Sequence, residues 1–209
     1  MSADTGAIRL RHATAEDHAG LSEVCLRTGA DGQDARGRED DETLLGLIFA
    51  VPYQVFAPVH ARVLEDDAGI CGYVLGTEDS AAMHRWLTED WFPRLRARVT
   101  DPGPDPARWR GSDWARRHIH APPPLPPVDP ARYPAHGHID LLPRARGQGW
   151  GRRAMEVLMA GLAEAGAPGL YLEVSPRNAG ALAFYARLGF ETADVGQPDT
   201  VVLVRDLPR

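Results

Sequence analysis

Residues 136–164 read HGHIDLLPRARGQGWGRRAMEVLMAGLAE. A strand-like run (His136 to Leu142) ends at Pro143. A basic turn follows with glycine at 147, 149 and 151. From Arg152 to Ala165, Met155, Leu158, Met159 and Leu162 fall at i, i+3, i+4 and i+7, the apolar face of a helix. This strand–turn–helix, set among strands and helices in mixed order with hairpins at both ends of the chain, points to an α/β fold with a mixed sheet. The turn also has a chemical consequence. Amides at a helix N-terminus lack intrahelical partners and carry the positive end of the helix dipole. Glycines let a phosphate approach them closely, and Arg144, Arg146, Arg152 and Arg153 add charge. The stretch is not a P-loop, because no Gly-Lys-Ser/Thr is present. A dinucleotide fingerprint begun at Gly147 would need glycine where Arg152 stands. Taken alone, it also fits a tight strand-to-helix turn that binds nothing.

The rest of the chain supplies strands and helices in a mixed order. Ala7–Ala13 alternates as a strand does, and Thr14 with Asp17 reads as the start of a helix running to about Thr28. Asp41–Phe56 predicts a second helix, interrupted near Pro52. Ala61–Glu78 predicts a hairpin around Asp-Asp-Ala-Gly, and Ser80–Val99 a helix with a break or restart at Pro93. Ten of the eighteen prolines lie between Asp101 and Pro134, which predicts an extended, partly polyproline II surface crossing. GLYLEVS is a strand, NAGALAFYARLGF a short helix ended by Gly189, and TVVLVRDL a closing strand. The 209 residues are expected to form one domain, 1–209, with a proline-rich insertion at about 100–134.

Two blocks carry a family resemblance. Arg146, Gly149 and Gly151 match the Gln/Arg-x-x-Gly-x-Gly/Ala acyl-CoA signature. Asn178, followed by Phe184, Tyr185, Gly189 and Phe190, matches Asn…Phe-Tyr-x-x-x-Gly-Phe. At this spacing the chain resembles the GNAT superfamily of N-acetyltransferases. Within it, the pattern is most similar to bacterial acetyltransferases related to the C-terminal acetyltransferase-like domain of animal O-GlcNAcases. The resemblance implies a mixed, largely antiparallel sheet flanked by helices and splayed where acyl-CoA binds. It implies acetyl-CoA as co-substrate, no metal, and direct attack of a primary amine (on a small molecule or a protein lysine) on the thioester. A module that binds acyl-CoA without turnover, as sensor or scaffold, is the competing reading.

The implied donor site comprises Leu141, Leu142, Arg144, Arg146, Gly147, Gln148, Gly149, Trp150, Gly151, Arg152, Ser175, Asn178 and Phe184. An amide near Leu141 or Leu142 would polarise the thioester carbonyl. Tyr185 occupies the family position of the acid that protonates the departing thiolate. His136, His138 and Asp140 share one face of their strand, and Asp140 is a charge between Ile139 and Leu141. The candidate base is Asp140, acting through water, with His138 or water itself as the alternatives. His118-Ile-His120 and His136-Gly-His138 also evoke a metal pair on strands, but no carboxylate or cysteine spacing specifies one. The acceptor site is expected from the loop Gly29–Asp41, the second helix and the proline-rich segment. Tyr53, Phe56, Trp86, Trp91, Trp109 and Trp114 are its candidate walls.

Composition excludes other classes. A net charge of −6 argues against nucleic acid as partner and is compatible with a cationic acceptor. All 23 basic residues are arginine, so the chain has no lysine amine of its own to acylate. No apolar run is long enough to span a membrane, no secretory signal is visible, and Cys25 and Cys71 are too few for a disulfide framework. A cytoplasmic monomer or homodimer is the expectation.

Overall fold

The computed structural model describes residues 7–196 and 199–208. Strand β1 (Arg9–His12) leads into the Thr14–Asp17 box, where the Thr14 amide donates to Asp17 Oδ2 at 2.8 Å and starts helix α1 (His18–Leu26). The guanidinium of Arg11, 2.7 and 2.8 Å from Asp17, holds that carboxyl down at about 2. The predicted second helix is two, α2 (Leu44–Phe49) and α3 (Val51–Phe56). The break is at Ala50 (φ −127°, ψ −61°), two residues before Pro52. Pro52 has no N–H for the Ile48 carbonyl and its ring would strike it, so the chain must turn aside before the proline.

Strands β2 (Arg62–Asp66) and β3 (Gly69–Thr77) form the expected hairpin. Their register slips at Leu64/Glu65, so that Leu64 faces Gly72, Glu65 faces Ile70, and Cys71 is the extra residue. Helices α4 (Ser80–Trp86) and α5 (Phe92–Arg96) are joined by a π turn, Leu87–Trp91, and the α-helix restarts around Pro93 rather than breaking there. Pro93 lies in the first turn of α5, a position that tolerates a missing donor.

The proline-rich segment is not wholly extended. Its prolines cluster at 102–106 and 122–130, and the proline-free stretch between them forms α6 (Asp113–His120). Ala115 and Ile119, at i and i+4, are fully buried among Leu44, Ile48, Phe92 and Leu95. The acidic loop before α2 is its dock. Asp40 takes the Ser112 amide at 2.6 Å and Arg116 Nη2 at 2.7 Å, so this carboxylate ties the loop to the start of α6.

Strand β4 (Ala135–Leu141), helix α7 (Trp150–Glu164), strand β5 (Gly169–Val174), helix α8 (Ala179–Arg187), strand β6 (Glu191–Ala193) and strand β7 (Val201–Asp206) complete the fold. The seven strands run in the order β1-β2-β3-β4-β5-β7-β6, antiparallel throughout except for β4–β5. One core packs α7 and α8 against Val74, Ile139 and Leu172; a second packs α1 and α3 against Val63, Tyr73 and Leu75. A Cβ on Gly137 would come within 2.8 Å of Leu158, and one on Gly76 within 2.7 Å. The glycine of His-Gly-His is therefore what lets α7 lie close on the sheet.

Candidate active site

β4 and β5 are paired only at Ala135↔Leu170 and His136↔Tyr171. Beyond that point the strands part, and the β5-side edge of β4 from Gly137 to Leu141 is unpaired within the sheet. Alternation in the antiparallel ladder decides which amides face the gap. Leu142 N donates to Cys71 O at 2.8 Å, so its amide is spent on β3 and cannot polarise a ligand in the gap, contrary to one of the two sequence expectations. Leu141 is out of phase, and its carbonyl instead receives Arg146 Nε at 2.7 Å on the other side. The amides of Leu141 and Ile139 consequently point into the splay.

The mouth of the splay is a groove of about 700 Å³ closed at one end by the start of α7. Gly149 is the N-cap in the left-handed region (φ +80°), with no side chain capping the helix. Gly147 is also left-handed (φ +75°), and a Cβ at either position would meet nothing within 4 Å. Gly151, Arg146, Arg152, Leu141, Asn178 and Phe184 line the same groove. Free amides, open glycines and two guanidinium groups fit a pyrophosphate.

Other predicted donor residues are engaged elsewhere. Arg144 is absent from the groove: its Nε lies 2.7 Å from Asp66 and its Nη2 donates to the Gly69 and Ile70 carbonyls, so it fastens the β2–β3 turn. Gln148 donates to Arg144 O, and the Trp150 ring packs on the core under the Arg153 guanidinium. Ser175 opens on the neighbouring cavity, and Asn178 both caps α8 through Ala181 N and borders both spaces.

That neighbouring cavity, about 340 Å³, meets the groove at Ile139, Asp140, Asn178, Ala181, Tyr185 and the Asp31–Gly32 turn. The turn is fixed across the junction by Asp31 to Arg177 (2.9 Å) and by Arg146 to the Gly32 carbonyl (2.9 Å), with Asp31 itself left-handed at φ +53°. Of the six aromatic residues expected as walls, only Trp114 lines the cavity, facing Phe49 at 6.1 Å. Phe56, Trp86 and Trp91 form their own cluster, Trp109 caps Gly103 O, and Tyr53 packs on His136. Cys25, buried in α1, borders the cavity as a thiol that burial pushes strongly toward its protonated form.

Asp140 stands at the junction. Tyr73, wholly buried, donates its hydroxyl to Asp140 Oδ2 at 2.6 Å. His138 Nε2 lies 3.1 Å from the same oxygen, while His138 Nδ1 bonds the Phe49 carbonyl at 2.8 Å. That carbonyl has no helical partner because the amide of Tyr53 turns to Ala50 at the α2–α3 break. Burial opposes the imidazolium, but Asp140 and the Phe49 carbonyl outweigh it and raise His138 above its usual value. A carbonyl can only accept, so Nδ1 donates to Phe49 and Nε2 faces the Asp140 carboxylate as a second donor, which occupies both imidazole nitrogens. Oδ1 of Asp140 makes no protein hydrogen bond among the described residues. Tyr185, on α8, borders both spaces, and its hydroxyl also has no protein partner among the described residues. Burial first, and then the charge of Asp140, keep that phenol protonated. Tyr73 and Phe49 were missed in the sequence; a tyrosine hydroxyl inside the strand ICGYVLG was the one available signal.

The histidines do not make a metal pair. His118 and His120 lie on helix α6, not on a strand; His118 packs edge-on to Phe49 and Phe92, and His120 bonds the Val99 carbonyl. Among the described residues no group of three or more His, Cys, Asp or Glu is placed to hold a metal ion. Nor is any helix there long and apolar enough to cross a membrane.

Burial pushes His118 and His136 down to about 4. Both fold neutral, whereas the unfolded chain takes up protons below about pH 6.5. Their contribution is complete at neutral pH and is lost as the pH falls from about 6.5 toward 4, at up to ~1.4 kcal/mol per unit for each. His138 has the opposite sign, its contribution fading as pH rises through its folded value. Urea denaturation should therefore give a stability about 2–4 kcal/mol lower at pH 5 than at pH 7. Equal stabilities would mean that these two rings take up protons in the native fold.

Residues 80–190 match the model of the acetyltransferase (GNAT) family. Protein O-GlcNAcase of Rattus norvegicus and that of Mus musculus are each 31% identical over 148 residues, 69% of this chain, which spans 16% of their length. The crystal structure of SsHAT is similar over 97% of this chain and 100% of its own, with 33% identity and a TM-score of 0.88. YncA of Salmonella typhimurium, a putative acetyltransferase solved with its cofactor acetyl-CoA, shares the fold at 14% identity and a TM-score of 0.54, over 98% of this chain and 96% of its own.

Proposed function

This chain belongs to the acetyltransferase (GNAT) family, and from that premise we propose that it transfers an acetyl group from acetyl-CoA directly to the primary amine of a small molecule. The single observation that carries the reading is the junction of two spaces at one carboxylate and one phenol. A groove ending in free helix amides meets an aromatic-walled cavity, and Asp140 and Tyr185 border both. The donor, when bound, supplies an activated thioester. The cavity volume of about 340 Å³ suits a compact acceptor.

The residues divide the work as follows. Amides at the start of α7, with Arg146 and Arg152, hold the pyrophosphate. The Leu141 and Ile139 amides pair with the pantetheine arm as an added strand would, and Leu141 N lies where a developing oxyanion can be met. Asp140 takes the proton lost by the attacking amine on its free Oδ1, while Tyr73 and His138 hold Oδ2 in place. As the nitrogen–carbon bond forms and the carbon–sulfur bond breaks, Tyr185 gives its proton to the departing sulfur. His138 is thereby a positioning residue and not the base.

Calorimetric titration with acetyl-CoA, then thiol release across an amine panel, tests the proposal. Binding with amine-dependent thiol release is expected. Binding with none would leave a CoA-binding module, and no binding would overturn both readings. Tyr185→Phe should lower kcat by ~10–100-fold, with acetyl-CoA affinity within twofold of the parent; undiminished kcat would remove Tyr185 from the acid role.

A further inference from the structure

The acceptor cavity contains a carboxylate that the protein does not answer. Glu173 lies two residues beyond Tyr171 on β5, and the Tyr171 ring stacks on His136 (5.4 Å, 21°). Residues two apart on a strand share a face, so Glu173 leaves the side of the sheet that carries His136, His138 and Asp140, across the splay from them. It lines the acceptor cavity and not the donor groove. The other carboxylates there have partners: Asp31 has Arg177, and Asp140 has Tyr73 and His138. Glu173 makes no ion pair or hydrogen bond among the described residues. Glu173 is the one exposed residue of β5, so it stands at the open side of the cavity, and no neighbouring cation pairs with it. No arginine lines this cavity, and the chain has no lysine.

Charge counting then selects the ligand. His138 and Asp140 together are neutral, and the reacting amine must itself be neutral when it attacks. Glu173 remains as one negative charge with no cation on the wall of a cavity that Phe49 and Trp114 also line, and acidic and aromatic walls together favour a cation over an anion. An acceptor bearing its own carboxylate would meet Glu173 with nothing to neutralise either. We propose that the acceptor is a small diamine: one amine reaches the thioester beside Asp140, and the second, as ammonium, pairs with Glu173. This rests on the transferase reading above.

The test compares acceptors of similar length on the full chain with acetyl-CoA: 1,4-diaminobutane, the monoamine 1-aminopentane and 4-aminobutanoate. The diamine should exceed the monoamine in kcat/KM by ~10-fold or more, with the amino acid poorest; Glu173→Gln should raise KM for the diamine ~10-fold and erase its advantage. Equal use of diamine and monoamine, preference for 4-aminobutanoate, or an unaltered diamine KM in E173Q would overturn the assignment. A calorimetric titration of 1,4-diaminobutane into the CoA-saturated protein separates the two readings. Binding that weakens ~10-fold in E173Q, without thiol release from any amine, would keep the cation site and sink the transferase reading. Diamine binding that is absent, or indifferent to E173Q, would sink the cation site even if another amine is acetylated.

Discussion

Asp140→Asn is expected to lower kcat by ~10²–10⁴-fold and to leave acetyl-CoA affinity within about twofold. The amide has the shape of the carboxylate and can still accept from Tyr73 and His138 through its oxygen. What it loses is the ability to take a proton at the atom facing the cavity. The fall should appear in kcat and kcat/KM alike, because the lost interaction belongs to the transition state. Tyr73→Phe is the control for position. It removes the 2.6 Å hydrogen bond to Oδ2 but keeps the base, so its fall in kcat should be only ~10-fold, with a shifted pH profile. Steady-state thiol release with one reactive amine, alongside calorimetry with acetyl-CoA, reads both variants. An Asp140→Asn protein within threefold of the parent kcat would move the proton to water or to another group, and the division of roles proposed for β4 would fail.

How much of this was legible in the sequence depends on how local each requirement is. The glycine turn was readable because its demands are met by neighbours in the chain: left-handed backbone at Gly147 and Gly149, no Cβ at Gly151, a helix start just beyond. Asp140 was readable as a charge between two apolar strand residues. Four nearby arginines could not be ranked, because the distinction is made far away. Arg144 is drawn off by Asp66, 78 residues earlier, while Arg146 is left at the groove. The cavity was the least legible part. Its walls come from α1, α2, α6 and β5, and Phe49 and Trp114 are 65 positions apart. Even the orientation of His138 depends on Pro52, which breaks a helix on a different element and frees the Phe49 carbonyl. The insertion misled because its prolines were counted together; their gap, not their number, permitted α6.

The same locality makes the donor site the easiest to break with one atom group. Gly149→Asp should weaken acetyl-CoA binding by ~100-fold or more. Two costs combine. Gly149 sits at φ +80°, where a side chain strains the backbone by about 1 kcal/mol; the free variant relaxes that strain, and returning the turn to its binding shape costs up to roughly fivefold in affinity. The carboxylate then stands at the helix N-terminus. There it favours the free protein through the dipole and offers the unpaired amides an internal cap in competition with the pyrophosphate. The second cost is electrostatic, so it must shrink with salt, whereas the first must not. Gly149→Ala isolates the first: a loss of fivefold or less, insensitive to ionic strength. The expected signature in calorimetry is therefore a large gap between Asp and Ala at low salt that narrows as salt rises. Gly149→Asp and Gly149→Ala with equal affinities at low salt would mean that the start of α7 meets no phosphate. The arginines and the strand edges would then have to hold the donor alone.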